Sequence, residues 1–550
     1  MMLIMKRYIT LAVIAILCWS AASAQQNELP SRSLTIEGAY NPTITRTDKV
    51  MPVPERQLTD HKTAQVNYLM DSNPMTNLER NPMVSFSESS DDVIPDRFTS
   101  LLRFGYGLRN VQDGLLDLNW RISDRDELQI SGLLDGWVTE PSGDWTSKMF
   151  NGDLKAVYLH RFDRFDVGVD GAYGHSFFNY RPAEDMNPAT FQSSTLTQNV
   201  NRGEFGLSLS GDASEVKWHF RAAMEYLSRN GLNVAGTDRT NKEGLVRIDG
   251  GLEMPLLGGM GGLDYRQKTA MYDWQGLNGC DYSGFTALTF SPFWKQSWEK
   301  WDARLGVNLD IRTRAGYVLM MSPMAFATFN ASDSFKLHVG LTGGIEDNAM
   351  RTLSIISPYW SEKERIRDGY TLANAFLGMS LSPGRWFSMS AKAGYRHTVD
   401  EVFQTVSDNL IVTSLLLQRS SDVLYFRLDA DMQFSDRAIL KMDLTYNNYF
   451  GHSYGIKMQL KPAFDANVYG CFKLARGLDA MLSYKLMLFH SVNKVAMPTV
   501  NDVALTVDYD LCKRLSLYTT LKHLAGGDFF YYAGYRVIKP SVVIGATYRF

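Results

Sequence analysis

The stretch 422–448, DVLYFRLDADMQFSDRAILKMDLTYNN, admits few folds. Leu424, Phe426, Leu428, Ala430 and Met432 share one parity, while Arg427, Asp429, Asp431 and Gln433 share the other. After the turn residues 434–437 the alternation resumes, with Ala438, Leu440, Met442, Leu444 and Tyr446 set against Lys441, Asp443, Thr445 and Asn447. A period of two is the signature of a strand whose side chains point alternately to opposite faces, so this is a hairpin with one apolar and one charged face. The pattern recurs. Val216, Trp218, Phe220 and Met224 oppose Lys217, His219, Arg221 and Glu225; Val246, Ile248 and Leu252 oppose Arg247, Asp249 and Glu253; Trp301, Ala303, Leu305, Val307 and Leu309 oppose Asp302, Arg304, Asn308 and Asp310. So many half-charged strands do not make a dry sandwich core.

The connections are asymmetric. Short turns fall at 123–125, 162–164, 210–213, 330–334, 382–385, 434–437, 475–477 and 511–513, with longer irregular links between them, notably 175–201, 347–368, 399–421 and 523–540. Short turns at one end and long loops at the other are what a transmembrane barrel shows, the short turns facing the periplasm. Pairing the segments gives eleven hairpins, hence about 22 strands, with 18–22 as the accepted range. Residues 317–329, interrupted by Pro323, and 260–294, opening on a glycine-rich turn, are the weakest segments. The predicted fold is all-β: an antiparallel up-and-down outer-membrane barrel over residues 98–550.

The chain begins with Lys6 and Arg7, an apolar run 11–19 and Ala22-Ser23-Ala24, which reads as a secretory signal peptide over residues 1–24. No later run is long and apolar enough for a spanning helix. Residues 25–97 are polar and proline-rich, and read as a weakly structured periplasmic arm. A net charge of -3 gives no pull toward nucleic acid. Cys280, Cys471 and Cys512 imply no disulfide framework.

Two resemblances add to this. The segment 34–54, with its strand, Tyr40-Asn41-Pro42 and the basic and proline-rich residues that follow, resembles an uncharacterised family of Bacteroidota outer-membrane barrels. The end of the chain, with Gly545 among the inward residues, Val542, Ile544 and Ala546 sharing a face, and Tyr548 and Phe550 at the third-last and last positions, resembles the C-terminal membrane-insertion signal of such barrels. The strand count is that of TonB-dependent receptors, whose barrel this one resembles. Their folded N-terminal plug is longer than the stretch preceding the barrel here, so the resemblance implies a lumen obstructed by the arm, by infolded outer loops or by a partner. Thr35, Ile36, Glu37, Tyr40 and Pro42 are the arm's candidate contact residues, either adding a strand to a partner's sheet or docking on the chain's own barrel.

The candidate lumen residues are Lys217, His219, Arg221, Arg247, Asp249, Asp302, Arg304, Arg427, Asp429, Asp431, Lys441 and Asp443. They fit a wet passage for polar solutes and equally a wall whose charges pair across strands. Phe177, Phe178, Tyr180, Tyr359, Trp360, Phe529, Phe530, Tyr531, Tyr532 and Tyr535 suit a ligand or partner surface, but read first as the aromatic belt at the headgroups. Leu410 to Val412 and Leu415 to Leu417 are unusually apolar for a loop, and read as a partner contact, an infolded segment or a misplaced strand. No catalytic motif, metal spacing or cofactor fingerprint is present. The expected protein is not an enzyme. It sits in the outer membrane of a Gram-negative cell, in contact with outer-membrane lipid, with the barrel-assembly machinery during biogenesis, and with a candidate envelope protein through the arm or outer loops. Solute passage or uptake is the first functional expectation, and a structural subunit of an outer-membrane assembly is the alternative.

Overall fold

The computed structural model describes residues 100–550 apart from 140–145, 183–196, 214, 231–239, 275–281, 314–318, 363–364, 385, 408–412, 451–460, 490–497, 528, 533–534 and 538–539. The expected signal peptide, the arm with its contact residues, Cys280 and the 410–412 segment lie outside the described residues.

In chain order the first strands are β1 (Leu101–Gly107), β2 (Gln112–Arg121), β3 (Asp126–Thr139), β4 (Ser147–Arg161), β5 (Phe165–Asn179), β6 (Thr197–Ala213) and β7 (Val216–Asn230). They continue with β8 (Thr240–Leu256), β9 (Gly259–Asp273), β10 (Phe285–Ser297), β11 (Trp301–Arg312), β12 (Leu319–Ser332) and β13 (Phe335–Glu346). A long link then carries helix α1 (Met350–Ile356) and the short β14 (Trp360–Glu362). β15 (Gly369–Gly384), β16 (Phe387–Ser407), β17 (Thr413–Ser435), β18 (Ala438–Phe450) and β19 (Pro462–Ala475) follow. The series ends with β20 (Leu478–Phe489), β21 (Val500–Asp510), β22 (Leu515–Lys522), a small hairpin of β23 (Phe530–Tyr532) and β24 (Tyr535–Arg536), and β25 (Ser541–Arg549).

Without β14, β23 and β24, these strands form a closed ring of 22, each antiparallel to its neighbours, as the alternation predicts. The ring closes where β25 pairs with β1, Gly105 standing opposite Gly545, and Ser100 and Phe550 exchange two backbone hydrogen bonds below that seam. Closure removes the free edges that an open sheet of this size would expose. All connections at the end carrying Ser100 and Phe550 are two to four residues long. At the Arg476–Gly477 turn the chain needs a left-handed residue, which Gly477 supplies at φ 72.

The apolar parity faces outward. Phe104, Tyr106, Leu154, Phe205, Met224, Leu305, Leu377, Leu424, Phe426, Ile544, Tyr548 and Phe550 are all exposed. In water this would be an untenable apolar surface; against hydrocarbon it is the expected one. The charged parity faces the lumen. Gly545 is inward as expected, where the Tyr518 ring lies so close that a Cβ would stand 2.5 Å from it.

Three sequence expectations need correction. Residues 399–421 are not an irregular link: β16 runs on to Ser407, β17 begins at Thr413, and Leu415 to Leu417 belong to β17. The cause is a bulge between Thr398 and Glu401, with Asp400 at φ 56, which shifts the parity and hides the strand from a period-two reading. The expected turn at 210–213 is the end of β6, and β5 likewise extends to Asn179. Pro323 does not break β12; it pairs opposite Val307 inside the ladder.

Candidate functional site: an outer loop folded into the lumen

The 22-residue link 347–368 between β13 and β15 starts at the end of the barrel opposite the short turns and turns inward. Its composition explains why. Leu353, Tyr359, Trp360 and Ile366 are too apolar to be left in water, and they pack with Phe178 and Tyr180 of β5 and its link, Leu227 of β7, Val402 of β16, Leu416 of β17 and Tyr535 of β24. Leu353 is 0% exposed and Trp360 1%. Tyr359 stacks on Tyr535 at 3.5 Å, and Trp360 stacks on Trp274 at 5.8 Å. The aromatic residues 178, 180, 359, 360 and 535 therefore belong to a buried lumenal cluster and not to the membrane belt that the sequence favoured.

Charges from the wall hold the loop's backbone and both its ends. Helix α1 has no capping side chain of its own; Glu243 of β8 accepts from the Met350 and Arg351 N–H groups at 2.7 and 2.9 Å, satisfying donors that a helix start leaves open. Lys268 of β9 bridges Asp347 at 2.6 Å and Asp368 at 2.7 Å, the first and last residues of the link. Arg247 of β8 pairs with Glu225 at 2.7 Å and with Asp347 at 2.5 Å. Arg351 reaches Glu204 of β6 at 2.7 Å and donates to the Gly203 carbonyl at 3.0 Å. Arg229 of β7 donates to the Trp360 carbonyl at 2.9 Å, lies over the Trp360 ring and bonds Tyr180. Arg312 of β11 donates to the carbonyls of Asp368 and Gly369. Burial pushes the Asp347 carboxyl up, but Lys268 and Arg247 outweigh it and hold it below the usual carboxylate range.

The far side is tied as well. β14 runs parallel to β17, pairing Trp360 with Ser414 and Glu362 with Leu416, and the Gln418 amide clamps Arg367 by accepting from its N–H at 2.8 Å and donating to its carbonyl at 2.6 Å. Gln418 belongs to the extension of β16 and β17 above the bulge, where 401–407 pair with 413–419 and neither β15 nor β18 continues alongside, so the link is held between the wall at β6 to β11 and this extension. A cylinder of 22 strands is roughly 40 Å across between backbones.

Of the sequence-predicted lumen residues, Arg247 joins this network directly, and Arg221 reaches it through Glu204, the partner of Arg351, at 3.3 Å. Arg221 forms a double bridge to Asp170 at 2.6 and 2.9 Å. Asp249 stands opposite Arg221 and Arg266, and Lys217 opposite Glu253. His219 lies against Gly251. Asp302 accepts from Asn330, and Arg304 bridges Asp264 at 2.6 Å while covering the Phe293 ring at 3.9 Å. Arg427 faces Lys392 across the ladder and lies over Tyr425; Asp429 faces Asp443, and Asp431 faces Lys441. These are wall residues, many paired across strands. The reading missed Glu243, Lys268, Arg229 and the two aspartates that end the link. The signal that would have found them is the pair Asp347 and Asp368 bracketing an apolar, aromatic loop.

No protein-family model matches this chain, and no curated protein matches it in sequence. Solved structures do. The siderophore receptor PirA of Acinetobacter baumannii aligns with a TM-score of 0.60 at 13% identity, over 82% of this chain and 80% of that one. The ferric enterobactin receptor PfeA of Pseudomonas aeruginosa, in a mutant form with enterobactin bound, aligns at 0.61 and 11%, over 82% and 81%. The ferric-catecholate import receptor Fiu of Escherichia coli K12 aligns at 0.58 and 9%, over 82% and 81%. At these identities the likeness is one of fold: a large closed antiparallel β-barrel.

Proposed function

We propose that the protein is an outer-membrane barrel for uptake of a polar solute, and that the link 347–368 is its gate. The observation that carries this is one loop drawn into a charged, water-compatible lumen and held there by side chains of β6, β7, β8, β9 and β11 on one side and by the β16–β17 extension on the other. A purely structural anchor gains nothing from filling its own bore; a passage that must not leak does. Solved structures of like fold are described as a siderophore receptor and a ferric-catecholate import receptor, which supports a role in uptake. In this reading the barrel resembles theirs without their plug, the loop obstructs the lumen, and the arm at 25–97 offers Thr35, Ile36, Glu37, Tyr40 and Pro42 to a partner in the envelope.

The gate stands on Lys268. Removing this buried cation leaves Asp347 and Asp368 facing each other without it, a change of a kind that costs about 3–5 kcal/mol. Proteoliposomes carrying Lys268→Met should swell in isotonic sugars and amino acids several-fold faster than those carrying the unsubstituted protein. Equal, negligible swelling for both, with the Lys268→Met loop cut by protease, would mean that opening the loop opens no path, and would favour the assembly-subunit role instead.

A further inference from the structure

Three Tyr-x-His triplets, Tyr158-Leu159-His160, Tyr173-Gly174-His175 and Tyr395-Arg396-His397, share one arrangement on the outer face. In each, the histidine stands directly opposite an Asp or Asn on the neighbouring strand: His160 opposite Asp126, His175 opposite Asn201, His397 opposite Asp422. In each, that residue's Oδ1 meets both side chains: Tyr158 at 2.5 Å and His160 at 2.6 Å, Tyr173 at 3.0 Å and His175 at 2.9 Å, Tyr395 at 2.6 Å and His397 at 2.7 Å. The parity is that of the exposed Leu154, Phe205, Leu424 and Phe426, so all three clusters face outward.

Their heights are not random. Tyr173 and His175 are the ninth and eleventh residues of β5, and Tyr395 and His397 the ninth and eleventh of β16, both rising from short turns. On β9, rising in the same sense, the outward ninth and eleventh residues are Gln267 and Thr269, again hydrogen-bonded side chain to side chain at 3.1 Å. The third cluster lies at the short-turn end, beside exposed Trp120, Phe162 and Phe165, with His160 level with Val167. From Val167 to His175 is eight residues, about 26 Å along the strand and, at a tilt near 40°, about 20 Å along the barrel axis. Val167, Val169 and Gly171 fill the outward positions between.

We infer that these clusters contact the polar headgroups of the two bilayer leaflets and set the depth and tilt of the barrel. The separation is close to the apolar band of about 25 Å that such barrels present. Asp126 and Asp422 carry the argument, because a carboxylate on the lipid face is costly in hydrocarbon and tolerated only at its margins. Within each cluster the acceptor engages Tyr Oη and His Nδ1. Nε2 remains for phosphate and ester groups. This inference rests on the barrel being embedded in a bilayer and not on what passes through it.

The test is depth measurement by nitroxide accessibility in vesicles of phosphatidylethanolamine and phosphatidylglycerol, with the native cysteines replaced and labels placed at 160, 175, 397 and 169. The labels at 160, 175 and 397 should read at the headgroup margins, on opposite sides of the bilayer for 160 and the other two, with 169 displaced into the apolar band by about 5 Å from 160 and about 15 Å from 175. A label at 175 or 397 as deep as 169, or one at 160 in bulk water, would overturn the inference. Histidine-labelled protein without substitutions provides an independent reading in the same vesicles. Phosphorus-31 dephasing of imidazole signals is expected, and is lost when all three histidines become Val; no dephasing in the unsubstituted protein would equally refute the contact.

Discussion

At the scale of single residues, the lumenal wall repeats one construction: a glycine, an aromatic ring lying flat across it, and a cation on the ring's free face. Tyr518 covers Gly105 and Gly545 under Arg103, Phe293 covers Gly262 under Arg304, and Phe376 covers Gly340 under Lys392. The ring gains apolar contact that a polar lumen otherwise denies it, and the cation gains a desolvated π face. At Gly340 a Cβ would stand 2.2 Å from the Phe376 ring and meet no backbone at that distance. Gly340→Ala should therefore destabilise the folded barrel by about 1–3 kcal/mol. In a chain already carrying Phe376→Ala, Gly340→Ala should cost little further, read as the urea midpoint of the heat-modifiable band; additive losses would remove the ring from the explanation. None of this was legible in the sequence. Period two identifies which residues face inward, but not which glycine a ring crosses, since that depends on the register between strands.

At the scale of elements, the strands were legible wherever one side met lipid and the other water, as in 422–448, because the two solvents demand opposite side chains. The upper parts of β16 and β17 were not, since the bulge at 398–401 flips the parity and Phe403, Leu417 and Val423 face a packed lumen. The inward loop escaped for a related reason: Tyr359 and Trp360 suit a headgroup belt as well as a buried cluster, and only the closed ring places Trp274 and Tyr535 beside them. The latch also has a pH signature. A carboxyl held below its usual range adds stability that is fully present above the unfolded value near 4 and is lost only as pH falls through the lower, folded value. In a Glu243→Gln chain, whose helix cap no longer titrates, the loop should thus resist protease equally from pH 7 to about pH 4. Loss of protection between pH 6 and 5 would show that Asp347 does not hold it.

At the scale of the whole molecule, 22 strands, short turns at one end and an apolar exterior follow from alternation and link length, and the closed ring has all three. What alternation does not determine is the content of the lumen. A ring of this size is a leak unless something fills it, and among the described residues the link 347–368 enters it, its ends sharing a lysine and its sides reaching β6 and the β16–β17 extension. Under the proposed function, the candidate wall charges are the lining that a solute meets once the link moves, and the apolar cluster is the seal. The most direct measurement is single-channel current in a planar bilayer, comparing the full chain with a version in which residues 348–367 are replaced by a short glycine linker. Steady openings in the shortened protein, against a closed full-length chain, are the expected result. A shortened protein as silent as the intact one would contradict the account, because the loop would then not be what closes the barrel.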